Sequence, residues 1–287
     1  LTINGGNFSN TAQYVIMNWN KAEITAGTFQ TLDTASAVLF TSAYDSDANT
    51  VGNLTISGGE FKRASDTQEM IVDHYDASNS GTATVTGGKF DADISKYIPT
   101  DYVQSADGTV EKLGETNAVA KVGGTYYKTL ADAVAAAQDG DTITLLKDAE
   151  LTSTLNLAKN ITIDGQGKYT IKAANSFTVG SDNKTYCVLY VSGEVTLKDV
   201  TVNGNEKCRV IFCDKGKLTI DGATITNGKA PNFIGGVYMT SSASFEMKSG
   251  SITGNKNAKE YQNDEYLQYS SDLWIGANAN GALTAIN

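Results

Sequence analysis

The sequence predicts an all-β fold: two tandem parallel β-helical segments with a short capping helix between them. Three observations carry this expectation. A glycine-cornered phrase recurs eight times, a second apolar strand lies between the copies, and the pattern breaks once, at a helix-forming stretch. In the first third the phrase reads LTINGGNF (1–8), AEITAGTF (22–29), LTISGGEF (54–61) and ATVTGGKF (83–90). Later it returns as ITIDGQGKYTI (161–171), VTLKDVTVNGN (195–205), LTIDGATITNG (218–228) and FEMKSGSITGN (245–255).

Each copy begins with an apolar–polar–apolar triplet, which in a strand sends two side chains inward and one outward. The anchors Ile3, Ile24, Ile56 and Val85 are 21, 32 and 29 residues apart, and Ile163, Leu197, Ile220 and Met247 are 34, 23 and 27 apart. Each set should form one buried column. Gly-Gly and Asp-Gly supply the positive φ that sharp corners require. Between copies lie YVIM (14–17), AVLF (37–40), MIVD (70–73), CVLYV (187–191), RVIFC (209–213), GVYM (236–239) and DLWI (272–275). Strand lengths stay constant while loop lengths vary, as expected where repeats stack in register and loops project outside the stack. The endings VNGN, ITNG and ITGN predict asparagines stacked at one corner, with amides bonded along the stack.

From about residue 91 the phrase disappears. YVQSADGTVEKL reads as a hairpin on an Asp-Gly turn. Further on, Thr129 and Asp132 form a capping-box pattern, and Leu130, Ala133, Val134 and Ala137 share one helical face. Gly140 is expected to end that helix, and Thr142–Leu145 to begin a strand. A stack of strands exposes backbone and apolar core at its end, so a cap is physically required. The division is therefore 1–96 as the last turns of a first β-helix, 97–117 as a hairpin-like cap and linker, and 118–287 as a second β-helix with an N-terminal helical cap.

Composition narrows the function classes. The 28 Gly against 2 Pro suit a turn-rich β protein. A formal charge of −10 argues against nucleic acid and anionic lipid as partners. No apolar run reaches the ~18–20 residues of a membrane helix, so no membrane insertion is expected from this stretch. Cys187, Cys208 and Cys213 are an odd count without metal-type spacing and are expected to be free thiols. The chain opens in mid-phrase at LTINGGNF and ends on GALTAIN, which predicts a piece of a longer protein.

These phrases resemble the right-handed parallel β-helix repeats of the pectate-lyase-like superfamily. In the style of GGVYM…FEMKSGSITGN they are similar to repeats in large surface proteins of anaerobic gut Firmicutes. That resemblance implies a right-handed solenoid and a bacterial, extracellular, cell-surface setting. It also directs attention to the catalytic motifs of the superfamily. IVDHYDASN (71–79) holds the only histidine, His74, and looks like the Asp-His strand of pectate lyases, but the arginine signature is absent. ITIDGQG (161–167) resembles the opening of many polygalacturonases and would offer Asp164. Inverting hydrolysis needs a second carboxylate, the stack neighbours are read as Lys198 and Asp221, and the remaining hydrolase signatures are missing. No catalytic residue is therefore assigned.

Asp45, Asp47 and Asn49 have the alternate spacing of a calcium loop, though Thr50 and Ile56 stand where an EF-hand wants Gly and Glu. Calcium is the one cofactor this spacing suggests. Tyrosines at loop sites, including Tyr75 and Tyr186, end in the aromatic insertion NAKEYQNDEYLQYSSD (257–272), where Tyr261, Tyr266 and Tyr269 are the candidate ligand contacts, suited to sugars or a protein surface. The expected function is a non-catalytic segment of a long surface protein, a stiff stalk with an adhesive flank. Its expected partners are glycans or a host or neighbouring surface protein. The alternatives are a β-helical polysaccharide lyase or hydrolase, and a carbohydrate-binding module.

Overall fold

In the computed structural model, residues 1–32, 35–44, 51–230, 234–257 and 272–276 are described. The chain is mostly β with one α-helix among these residues, and its sheets are predominantly parallel. It divides into two compact units, Leu1–Leu113 and Gly114–Asn287.

In the first unit the four phrases become the strands Thr2–Asn10, Lys21–Thr31, Asn53–Lys62 and Thr82–Phe90. They pair in parallel with Ile3 opposite Ile24, Ile24 opposite Ile56 and Ile56 opposite Val85. All four anchors are buried, so the expected column exists. Past the corner a second column forms that the phrase contained but its triplets did not advertise. Phe8, Phe29, Phe61 and Phe90 stack with centroids 5.0, 4.8 and 4.5 Å apart and planes within 7°. Their separation matches the spacing of paired strands. The apolar strands between copies, Tyr14–Asn18, Ala37–Thr41 and Glu69–Val72, make a separate parallel sheet.

The corner glycines earn their place by conformation. Gly59 has φ +110°, and a Cβ there would lie 3.1 Å from the Phe61 ring and 3.2 Å from the Gly27 carbonyl. Gly59→Ala should therefore cost about 1–3 kcal/mol, lowering the urea midpoint without altering the m-value. An unmoved midpoint would mean that the corner tolerates a side chain. At the far edge Tyr102–Gln104 and Thr109–Lys112 form the expected hairpin, with Gly108 at φ +88°. Thr109–Lys112 also pairs antiparallel with Thr82–Phe90, covering the edge of the last copy.

In the second unit one row comprises Thr142–Leu145, Ile161–Asp164, Glu194–Lys198, Gly216–Thr226 and Ala243–Thr253. Ile143, Ile163, Leu197, Ile220 and Met247 lie opposite one another in succession. The first four are fully buried and Met247 is half-buried. Ile171, Val202, Ile225 and Ile252 form a second column. A third comes from Leu155–Leu157, Cys187–Val191, Arg209–Cys213, Val237–Met239 and Leu273–Ile275, all parallel. The three columns meet in one apolar core.

The helix of this unit, α1 (Leu130–Ala136), begins where expected: the Thr129 hydroxyl oxygen accepts from the Asp132 N–H at 3.0 Å. Leu130, Ala133, Val134 and Ala137 are buried in the core, while Asp132 and Gln138 face solvent. Its end differs from expectation. The helix stops at Ala136 rather than Gly140, because Ala137 turns to an extended ψ of 149° and buries its methyl. The Lys159 ammonium then donates to the carbonyls of Val134, Ala135 and Ala137 at 3.1, 2.7 and 2.6 Å. A cation at the negative end of the helix replaces a glycine cap. A second difference lies just upstream. Ala120–Val122 and Thr125–Tyr127 form an antiparallel hairpin, and Ala120–Val122 pairs antiparallel with Thr142–Leu145. The hairpin thus covers the strand edge, and the helix adds its apolar face to the core.

The asparagine corner is also bonded differently from a simple ladder. Asn205 donates to the Ala173 carbonyl and to Asn175 Oδ1, at 3.0 and 3.1 Å. Asn255 donates to the Ile225 carbonyl at 3.1 Å and accepts from the Gly228 N–H at 2.8 Å. The amides mostly satisfy backbone of the preceding copy, where a corner leaves carbonyls and N–H groups outside the sheet ladder.

Candidate functional site

His74 follows the strand Glu69–Val72, and its ring is 60% exposed. Its Nδ1 is 3.2 Å from Asp73 Oδ1, while Lys96 Nζ donates to Asp73 Oδ2 at 2.6 Å. Burial pushes the Asp73 carboxyl up, but hydrogen bonds from Lys96 and His74 outweigh it and hold it below the ordinary carboxylate range. Arg63 spends its guanidinium on structure. It donates to Asp91, to Asp66, and to the carbonyls of Asp66, Gln68 and Asp91, tying a loop to the next copy.

Asp164 ends the strand Ile161–Asp164. Its Oδ1 accepts from the Gln166 N–H at 2.8 Å, and its Oδ2 from Lys198 Nζ at 2.7 Å. In register it lies opposite Thr144 on one side and Lys198 on the other. The reading of Asp221 as the next member of that column needs correction. A register shift after Leu197 sets Lys198 opposite Gly222 and Asp221 opposite Ser249. Gly222 suits this bulge, because its φ of +78° is one that other residues rarely adopt, and a Cβ there would push the Asp199 carboxylate aside. Asp164 is thus a corner residue with a lysine partner.

Beside it the outward side chains Thr162, Thr196 and Thr219 line a shallow groove of about 280 Å³, bounded by Asn160, Lys217 and Glu246. Lys217 and Glu246 pair with each other across it. Such exposed pairs contribute little to stability, yet they leave the groove polar and near neutrality, a surface that can bond hydroxyl groups. On the third row Tyr190, Phe212 and Tyr238 stack at 6.0 and 5.5 Å, and the buried Arg209 lies 4.9 Å from the Tyr238 ring centre. Arg209 donates to the Ile234 carbonyl and to Asn183 Oδ1. Burial pushes its guanidinium below the usual range.

The calcium candidates Asp45, Asp47 and Asn49 and the ligand candidates Tyr261, Tyr266 and Tyr269 lie outside the described residues. Of the other loop tyrosines, Tyr75 is largely exposed and Tyr186 half-buried. Cys187, Cys208 and Cys213 are free and buried, and burial pushes each thiol up to about 12. A thiol reagent at pH 8 should accordingly label none of them in the native chain and all three after denaturation. Rapid native labelling would place at least one outside the core. The chain matches no family model, no curated protein and no solved structure.

Proposed function

We propose that both units are right-handed parallel β-helical solenoids of the pectate-lyase-like kind, and that the chain is a non-catalytic stalk segment of a long bacterial cell-surface protein. The observation that carries this reading is the continuity of the columns. Ile3–Ile24–Ile56–Val85 and Ile143–Ile163–Leu197–Ile220–Met247 run without interruption, each strand hydrogen-bonded to the copies before and after it. A body in which every layer is bonded to the next transmits force along the stack and resists bending. The carboxylate that the sequence offers for hydrolysis, Asp164, is engaged by Lys198 and by its own turn, which supports a structural role. The setting outside the cell rests on the resemblance of the repeats alone.

The test is a panel of uronic-acid and neutral polysaccharides incubated with the chain, with and without Ca²⁺. No depolymerisation is expected. Depolymerisation that is lost in Asp164→Ala or His74→Ala would overturn the stalk reading and install a polysaccharide lyase or hydrolase in its place.

A further inference from the structure

Among the described residues aromatic side chains form three assemblies, and one is unlike the others. The phenylalanine column and the Tyr190–Phe212–Tyr238 row are parallel stacks, with interplanar angles of 17° or less, in which rings hide their faces on one another. In the first unit Trp19 instead meets Tyr44 at 5.6 Å and 89°, Tyr75 at 5.7 Å and 63°, and Phe40 at 4.8 Å and 66°. Phe40 is covered by these neighbours, but Tyr44 and Tyr75 remain 70% and 67% exposed. Met17, opposite Phe40 in register, and Val51, bridged to Ala43, are two more of the exposed large apolar side chains. Apolar surface concentrated in this way marks an interaction site.

The placement is built by the repeat. Trp19, Tyr44 and Tyr75 each follow one of the successive strands Tyr14–Asn18, Ala37–Thr41 and Glu69–Val72. The turn after Tyr75 is held by its own hydrogen bonds and is tied to Ser42, two residues before Tyr44. Tyr75 N–H donates to the Asn79 carbonyl at 2.9 Å, and Asp76 accepts from the N–H groups of Ser78 and Asn79. Ser42 Oγ donates to the same Asn79 carbonyl at 2.9 Å, joining the end of the strand before Tyr44 to the turn after Tyr75. Rings held in advance lose little entropy on binding.

We propose that Trp19, Tyr44 and Tyr75 form a binding platform for a neutral glycan. The polarised C–H groups of a pyranose ring meet the negative face of an aromatic ring, and ring centres 5.6–5.7 Å apart are on the scale of one sugar. In the chain Asn20 follows Trp19, and the exposed His74 precedes Tyr75, side chains of a kind that bond hydroxyls. Residues 1–113 carry 14 acidic against 6 basic side chains, so a polyanionic chain is repelled and an uncharged one is not. This inference stands on the first unit's side chains and is independent of the stalk reading.

The test uses the full chain in native gels containing mannan, galactomannan, arabinoxylan or β-glucan, with polygalacturonate as the charged comparison. Retardation by at least one neutral polymer is expected, weakened about ten-fold in Tyr44→Ala and in Tyr75→Ala. Both side chains are exposed, so the folded state survives their truncation, as circular dichroism would verify. With Trp274→Phe the chain keeps a single indole, Trp19, whose emission should change on titration with the retarding polymer. Retardation by none of the four, by polygalacturonate alone, or to an unchanged degree in both Tyr44→Ala and Tyr75→Ala would overturn the proposal. So would self-association that depends on Trp19 in the absence of retardation, which would assign the patch to a second copy of the chain.

Discussion

Ile220→Asp should leave the second unit unable to hold its native structure. Ile220 is fully buried, with Leu197 before it and Met247 after it in the same column. A carboxylate there has apolar groups on both sides along the stack. Leaving an uncompensated charge in such a place costs about 3–5 kcal/mol or more, a large share of the roughly 5–15 kcal/mol that separates a folded domain from its unfolded chain. The expected result is loss of the cooperative thermal transition of this unit by circular dichroism. Thr196→Asp, one position before Leu197 and directed outward, should change the melt little. Ile220→Val, which removes one methylene, should cost only about 0.5–1.5 kcal/mol. Equal melts for Ile220→Asp and the parent chain would place residue 220 outside the core and invalidate the column.

Removing residues 118–140 should convert a well-behaved chain into one that associates. The deletion takes away the hairpin strand Ala120–Val122, which occupies the edge of Thr142–Leu145, together with the α1 residues Leu130, Ala133 and Val134. What remains is a row of unpaired N–H and carbonyl groups next to an opened apolar core. An edge of that kind is a template for another chain. Light scattering after size-exclusion chromatography should show mass rising with concentration for the deletion variant and a constant mass for the parent. Two constant and monomeric masses would show that neither the hairpin nor the helix protects the end of the stack.

Much of this was legible because the repeat is written in side-chain alternation. The triplets AEI, LTI, ITI and VTL place Ile24, Ile56, Ile163 and Leu197 in their columns, since a period of two leaves one choice of face once the strand is recognised. The remaining features are hidden from the sequence for physical reasons. The phenylalanine stack follows a glycine corner, which resets the alternation, so its inward direction could not be counted from the triplet. Ala120–Val122 and Leu155–Leu157 are three-residue strands, too short for periodicity to register. The helix end is not readable from local sequence because the capping group is Lys159, more than twenty residues away in sequence and adjacent only in the fold. Asp221 slipped out of its column because a bulge at Gly222 adds a residue to one strand alone. The Trp19 platform is assembled by three loops of different length, and only the stacking of their parent strands brings the rings together.

The central claim is that successive copies lie side by side, in parallel and in one register. Thr55 and Thr84 are opposite each other on adjacent copies of the first unit, with side chains directed outward. All three native cysteines lie in the second unit, so a pair introduced in the first is read without interference. Paired strands are about 4.8 Å apart, inside the Cα separation that a disulfide spans. The decisive measurement is the oxidation of Thr55→Cys/Thr84→Cys in the folded chain, followed by mass spectrometry of the cross-linked peptides. Rapid closure between positions 55 and 84 is the predicted result, whereas two thiols that stay reduced until the chain is unfolded would contradict the register on which the whole account rests.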